Sequence, residues 1–219
     1  MMSERKVAVF YLDRTLIRVD SFHKYIWYAI KENPFSVVRG WYLPIEYIMH
    51  LLRLRDNEWL KTTFLSVLLK QRKMWDVQES GKRFVIKLLP HVRQAALDRL
   101  EYHRNQGHYT VLATASPDFY VEPIKAFLRF DEIVCTKIAW STDGMFKGLN
   151  GGNCYGSQKL RRIEETLSRL GAAELTAVYT DHKSDRPILT ATKMGYLVNP
   201  DKQTKASCSW DGLQVVDWD

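Results

Sequence analysis

The sequence predicts a Rossmann-like α/β fold, in which a parallel sheet carries helices on both faces and a helical segment is inserted near its start. Three observations support this prediction. Short, continuous apolar runs recur along the 219 residues, which is typical of strands buried on both faces of a parallel sheet. Helical patterns separate most of these runs. Between about residues 20 and 90, a long helical stretch interrupts the alternation.

Five apolar runs are predicted as the parallel strands. Because a helix lies between most neighbouring runs, the strands are expected to form a parallel sheet with helices on both of its faces. The five predicted strands are Lys6–Leu12, Thr110–Thr114, Glu132–Thr136, Leu175–Thr180 and Gly195–Asn199.

The helices between these strands are predicted from capping residues and from glycines that follow their last turns. Ser116 and Pro117 precede the second helix, and we predict that Ser116 caps it. Gly107 and Gly171 follow the first and third helices and mark their ends. The three predicted helices are Val92–Arg104, Phe119–Leu128 and Ser157–Leu170.

Two further elements lie outside the regular alternation. Residues 138–151 are predicted to form a β-hairpin that turns at Asp143 and Gly144, since an Asp-Gly pair between apolar runs is a strong hairpin signal. Leu213–Asp217 is predicted as one more strand, at an edge of the sheet. Neither element changes where the central parallel strands end.

The positive charge of the chain is concentrated in the helical stretch. The formal net charge is +7, and residues 21–90 hold twelve lysines and arginines against six acidic residues, a surplus of six. The same stretch is rich in Trp and Tyr. Three interpretations remain open: the packed interior of a helical cap, a surface that lies on anionic lipid, or a nucleic-acid surface. We expect no nucleic-acid partner, because no recognised nucleic-acid motif accompanies the charge.

Cysteine content and hydropathy indicate the compartment. Three cysteines, an odd number without paired spacing, are interpreted as reduced thiols, which favours the cytoplasm. The apolar run before Asp13 is too short for a signal peptide, and no stretch is long and apolar enough to cross a membrane. We therefore predict a cytoplasmic protein, either free or peripherally bound at the inner face of the membrane.

Polar residues follow the predicted strands at their carboxyl ends, where ligands bind in sheets of this kind. Asp13 follows the first strand, Ser116 follows the second, and Asp181 and Asp185 follow the fourth. Lys159 lies in the first turn of the helix before that fourth strand. Because parallel strands end at the same edge of a sheet, we expect these five side chains to converge on one pocket.

These residue types suit a phosphate site. Asp181 and Asp185 can hold Mg²⁺, which prefers oxygen ligands and bridges to substrate phosphate. Ser116, with the amides of the next helix, can bind a phosphate oxygen, and Lys159 can neutralise its charge. Asp13 is placed to protonate the leaving oxygen. Each residue also has a purely structural alternative: a helix cap, a solvated lysine, or acids at a helix N-terminus.

In order and spacing, these residues resemble the four motifs of the haloacid dehalogenase superfamily, especially the branch containing phosphoserine phosphatases and bacterial phosphatidylglycerophosphate phosphatases. The family's motifs are Asp-x-Asp-x-Thr, a Ser or Thr, a Lys, and a pair of acidic residues. The resemblance extends from residue 6 to about residue 200. The matching positions are Asp13, Thr15, Ser116, Lys159, Asp181 and Asp185.

The resemblance implies a Mg²⁺-dependent hydrolase of phosphomonoesters, acting on a phosphorylated small molecule or a lipid headgroup. It implies a core formed by residues 1–19 and 91–219, with residues 20–90 as a helical cap. The implied roles are metal binding by Asp13, Asp181 and Asp185, substrate binding by Thr15, Ser116 and Lys159, and catalysis by Asp13, Ser116 and Lys159 with position 11.

Position 11 departs from the family pattern. Family members attack phosphorus with the first Asp of the first motif, and Tyr11 stands there in this chain. A phenol has a pKa near 10, is longer than a carboxylate and removes one expected Mg²⁺ ligand. Arg14 also replaces a glycine that is common in the family. Two hypotheses follow: a phosphatase impaired at Tyr11, or a binding protein that keeps a phosphate pocket without catalysis.

Overall fold

A seven-stranded sheet forms the centre of the part of the chain that the structure describes. The structure is a computed structural model, and it describes residues 5–171, 173–208 and 212–219, apart from the side chain of Ser184. The strands are β1 (Arg5–Tyr11), β2 (Tyr109–Pro117), β3 (Glu132–Trp140), β4 (Phe146–Asn150), β5 (Ala173–Thr180), β6 (Met194–Val198) and β7 (Leu213–Val216).

The strand order is β4-β3-β2-β1-β5-β6-β7. Neighbouring strands are parallel except for β3 and β4, which pair antiparallel. Within the described residues, five α-helices follow residue 93 and connect the strands, so the predicted Rossmann-like α/β fold is confirmed. They are α6 (Gln94–Asn105), α7 (Asp118–Leu128), α8 (Ser157–Arg169), α9 (Arg186–Thr190) and α10 (Lys202–Ser207).

Strand β1 lies at the centre of the sheet, and its side chains are buried on both faces. Phe10 packs on one face, stacked on Tyr179 with ring centroids 4.5 Å apart. Val9 and Tyr11 belong to the cluster on the other face, which also contains Ile163 of α8. Burial on both sides explains why the strand reads as a continuous apolar run rather than as an alternating one.

The predicted hairpin and edge strand are both present. Strands β3 and β4 form the antiparallel pair, and the amide of Gly144 donates to the carbonyl of Ser141 at 2.9 Å in the turn. Gly144 has a φ of 77°, a left-handed conformation that glycine adopts without steric cost. Strand β7 pairs with β6 at the end of the sheet.

The prediction that Ser116 caps a helix is wrong. Strand β2 continues past Thr114 to Pro117, where it pairs with Thr136 of β3, and α7 begins only at Asp118. Pro117 occupies the N-cap position, and the helix has no side-chain cap. Ser116 is therefore a strand residue, and its hydroxyl is directed toward other partners.

Residues 21–88 form five helices and no strand. The first of these helices packs on the helix after β2. The ring of Tyr25 lies against those of Phe119 and Tyr120, with centroids 4.9 and 5.4 Å away. No helix in the described residues has the length and apolar content needed to span a membrane. The assignment of residues 20–90 as a separate cap domain stays a prediction. The helices are α1 (Ser21–Glu32), α2 (Phe35–Arg39), α3 (Leu43–Leu51), α4 (Asn57–Leu68) and α5 (Met74–Leu88).

Gly81 of α5 lies directly against the backbone of Phe119 in α7. A Cβ at this position would overlap the backbone carbonyl of Phe119. We expect Gly81→Ala to lower the free energy of unfolding by about 1–3 kcal/mol, because overpacking forces the two helices apart. A glycine-to-alanine change in an unobstructed helix would instead stabilise it by about 1 kcal/mol. Urea denaturation followed by circular dichroism measures the difference.

Lys87→Ala is the matched control, since Lys87 is exposed on the same helix. Its effect should stay within about 0.5 kcal/mol. A Gly81→Ala variant as stable as the unaltered chain would mean that α5 does not pack tightly on α7.

Candidate active site

A cavity of about 330 Å³ lies at the carboxyl ends of β1, β2 and β5. This is the edge at which the sequence predicts the site. Five of the predicted site residues line the cavity together, while Thr15 and Ser116 lie outside its lining. The five are Tyr11, Asp13, Lys159, Asp181 and Asp185.

The carboxylate of Asp13 accepts three hydrogen bonds. The amide of Ser21 donates to Oδ1 at 2.6 Å. The hydroxyls of Thr114 and Ser116 donate to Oδ2 at 2.8 and 3.2 Å. These donors come from the start of α1 and from the end of β2, so the two elements hold Asp13 in one orientation. Hydrogen bonds to a charged acceptor are among the stronger ones in proteins.

Tyr11 is 5% exposed and its ring lies among the pocket residues. Burial raises the pKa of its phenol well above the usual value near 10, because the charged form loses its hydration. The negative charge of the neighbouring Asp185 raises this pKa further. The phenol is therefore neutral at pH 7.

The side chain of Lys159 lies close to both Tyr11 and Asp185. Its ammonium lies 3.8 Å from the centroid of the Tyr11 ring and 3.9 Å from Oδ1 of Asp185. The lysine is buried at the start of α8, whose first turn follows Gly156. A cation over an aromatic face is attracted to it, more strongly where water is excluded. Tyr11 thus holds the ammonium that the family resemblance assigns to substrate phosphate.

Asp181 and Asp185 follow the end of β5. The hydroxyl of Thr180 donates to Oδ2 of Asp185 at 2.7 Å, which orients that carboxylate toward the cavity. Burial raises the pKa of Asp181 above its ordinary value, and the like charge of Asp185 raises it further. The carboxylate of Asp181 is therefore protonated more easily than that of a free aspartate.

The predicted ligand set Asp13, Asp181 and Asp185 is not assembled as a metal site. No group of three or more His, Cys, Asp or Glu side chains that could hold a metal ion occurs within the described ranges. The physical reason is local. Asp13 is directed to its three donors, and Asp185 already accepts from the hydroxyl of Thr180 and lies near the ammonium of Lys159. These residues, as they stand, do not fit a Mg²⁺ ion.

Two predicted substrate-binding residues lie behind the cavity. The hydroxyl of Ser116 contacts the hydroxyl of Ser21 at 2.8 Å as well as Asp13, and its side chain is buried. The hydroxyl of Thr15 is buried without a hydrogen-bond partner in the described part of the chain. Thr114, the last residue of the predicted second strand, lines the cavity instead. The position of Thr114 at the end of the predicted second strand is the sequence feature that could have identified it.

Lys61 is a residue near the site that sequence reasoning missed. Its ammonium reaches from α4 to the carbonyl of Ala115 at 2.6 Å and to Oδ1 of Asn153 at 2.8 Å. Burial lowers its pKa to about 8, while the nearby charge of Asp13 partly opposes this effect. No spacing rule in the sequence connects Lys61 to β2, which lies some fifty residues further along the chain. Only the packing of α4 brings it there.

Arg14 has a φ of 58°, in the left-handed region. A side chain in this region costs on the order of 1 kcal/mol relative to glycine. Arg14 also lines the cavity. The backbone therefore explains why glycine suits this position, and the arginine adds a side chain and a charge at the mouth of the site.

Three comparisons connect the chain to known proteins. A family model described as haloacid dehalogenase-like hydrolase matches residues 8–190. CicA of Caulobacter vibrioides is 29% identical over 202 residues, which cover 90% of this chain and 88% of that protein. A histidinol-phosphatase of Neisseria meningitidis is 22% identical over 222 residues, covering 98% and 99% respectively.

The fold also matches a solved structure, a phospho-aspartyl intermediate analogue of phosphoserine phosphatase. The TM-score is 0.66 at 15% identity, and the match covers 99% of this chain and 95% of that one. At this level of identity the likeness shows a shared fold. The resemblance inferred from the four sequence motifs is confirmed by the family model.

The neutral state of Tyr11 can be measured. We expect the unaltered chain and Tyr11→Phe to give the same phenolate absorbance up to pH 10, because burial and Asp185 raise the Tyr11 pKa well above 10. A free phenol is about half ionised at that pH. Ultraviolet difference titration of the two proteins measures the contribution of Tyr11 alone, with circular dichroism as the control for folding. A phenolate signal missing only from the variant at pH 10 would contradict this reading.

Proposed function

Since the chain belongs to the haloacid dehalogenase-like hydrolase family, we propose that its cavity binds the phosphate group of a phosphorylated small molecule but hydrolyses it slowly or not at all. The observation that supports this proposal most directly is Tyr11. A neutral, buried phenol beside Asp185 occupies the position of the family's nucleophile. The alternative, a fully active phosphatase, would require attack by a group whose pKa lies far above 7.

The reaction that the family performs identifies what is missing. A carboxylate oxygen forms a bond to phosphorus while the bond to the leaving oxygen breaks, and water then hydrolyses the aspartyl-phosphate. In this chain Asp13 occupies the position of the general acid, the group that protonates the leaving oxygen. Tyr11 is longer than aspartate, and a misplacement of about 1 Å can cost roughly 10²-fold in rate. The neutral state and the length of the Tyr11 side chain both oppose attack.

Mg²⁺ does not enter the chemistry that we propose for the unaltered chain. Asp181 and Asp185 supply carboxylate oxygens, but the ammonium of Lys159 lies 3.9 Å from Asp185 and Tyr11 contributes a neutral phenol. An aspartate at position 11 would add a third carboxylate beside them. This change converts a poor donor set into one that Mg²⁺ prefers.

The charge of the cavity favours one class of small molecule. Four lining carboxylates, those of Asp13, Asp20, Asp181 and Asp185, exceed the two basic residues Arg14 and Lys159. Free phosphate is repelled by this surplus, whereas a phosphate ester that also carries an ammonium or imidazolium group is attracted. The similar histidinol-phosphatase is named for a substrate of this kind. A lipid-headgroup substrate and a cytoplasmic location stay predictions.

The central test is Tyr11→Asp. We expect this variant to release phosphate from an aryl phosphate at least about 10²-fold faster than the unaltered chain, because it regains a nucleophile of the right length and charge. Phosphorylated amines and phosphorylated lipid headgroups are assayed beside the aryl ester. If the gain is smaller, adding Arg14→Gly should increase it by clearing the mouth of the cavity.

Tyr11→Asn is the matched control, since it has the size of aspartate without the negative oxygen. It should stay at the level of the unaltered chain. Asp13→Asn in the Tyr11→Asp background should remove most of the gain, because the leaving oxygen loses its acid. Equal rates for the unaltered chain and Tyr11→Asp would show that Tyr11 is not a lost nucleophile.

Metal binding gives a second, independent readout. Isothermal titration with MgCl₂ should give no saturable heat for the unaltered chain and a saturable isotherm for Tyr11→Asp, because only the variant has a carboxylate at position 11 beside Asp181 and Asp185. Tyr11→Asn again serves as the control. Saturable Mg²⁺ binding by the unaltered chain would mean that Asp181 and Asp185 suffice, and the donor-set argument would be wrong.

A further inference from the structure

An unusual share of the exposed apolar surface belongs to one short segment. Among the described residues, half of the large hydrophobic side chains that are exposed fall between residues 35 and 54, on α2, on α3, in the turn between them and in the turn after α3. We call these side chains the α2–α3 face. Its ten members are Phe35, Val37, Val38, Trp41, Ile45, Tyr47, Ile48, Leu51, Leu52 and Leu54.

Helix α3 shows why this face needs a partner. It carries Leu, Ile, Tyr and Met side chains over nine residues, yet none of its residues is buried. Trp41 and Phe35 are each 73% exposed. Scattered exposed apolar residues are normal, but ten of them within one segment of twenty residues indicate an interaction site.

The charged residues around the α2–α3 face indicate which kind of partner surface it can bind. Arg39, Arg53 and Arg55 lie within or beside it, and Glu46 is the acidic residue of the same stretch. Arg55 lies over the ring of Trp59, 4.4 Å from its centroid, and pairs with Glu46 at 3.7 Å. The helical segment as a whole carries the surplus of six positive charges. A partner surface that is apolar inside and negative at its boundary matches this arrangement.

We propose that the α2–α3 face docks on an anionic lipid bilayer, with the two helices lying in the plane of the interface. Helix α3 is about 14 Å long at 1.5 Å per residue, too short to span a bilayer. Its Leu and Ile side chains enter the acyl boundary, while Trp41 and Tyr47 suit the headgroup level. The arginines contact lipid phosphates.

A second copy of the chain fits this face less well. A symmetric dimer would bring the arginines of both copies toward one another, and like charges at an interface cost free energy. An acidic bilayer instead compensates them. The docking does not depend on the chemistry at Tyr11, so a failure of the proposed function leaves it intact.

The test is co-sedimentation of the full chain with vesicles. We expect binding to vesicles of equal parts phosphatidylglycerol and phosphatidylcholine to exceed binding to phosphatidylcholine alone, and to weaken as salt is raised. Ile48→Glu combined with Leu51→Glu should reduce the partition coefficient at least about tenfold, since both side chains would enter the bilayer. Arg39→Gln with Arg53→Gln should reduce it about fivefold for each charge removed.

Ile86→Glu combined with Phe127→Glu is the matched control. Both residues are exposed and lie outside the face, at 68% and 61% exposure, so this variant should bind as the unaltered chain does. Circular dichroism establishes that each variant is folded. Three outcomes would overturn the proposal: equal recovery with both kinds of vesicle, no recovery with either, or a dimer in sedimentation equilibrium that the Ile48→Glu, Leu51→Glu variant dissociates.

Discussion

The hydrogen-bonded carboxylate of Asp13 is the interaction on which the site depends. It joins the end of β1 to the first residue of α1, through the amide of Ser21, and to the end of β2, through Thr114 and Ser116. A charged carboxylate inside a protein is stable only when donors replace its lost hydration. These three donors do so, and they set the direction in which the chain leaves β1 to begin the helical segment.

Tyr11 changes the electrostatics of the site as well as its nucleophile. The phenol stays neutral beside Asp185, and its ring faces the ammonium of Lys159 at 3.8 Å. The same ammonium lies 3.9 Å from Oδ1 of Asp185. These contacts reduce the positive charge that Lys159 can offer to a transition state.

The helical segment between β1 and α6 has two different sides. Its inner side contributes Ser21 to the Asp13 network and Lys61 to the carbonyl of Ala115 at the end of β2. Its outer side is the α2–α3 face, where Trp41 is 73% exposed. One segment therefore packs against the pocket and presents an exposed apolar surface flanked by arginines. The proposed lipid-docking surface and the pocket are thus both formed in part by this segment.

The sequence alone determined the strand–helix alternation, the parallel sheet and the clustering of Asp13, Lys159, Asp181 and Asp185, because local hydrophobic period and strand order suffice for these features. It did not determine that Ser116 lies behind the pocket. The extension of β2 by pairing with β3 decided that, and pairing between distant strands has no local signature. The orientation of each charged side chain was likewise decided by partners brought together only when the chain is folded.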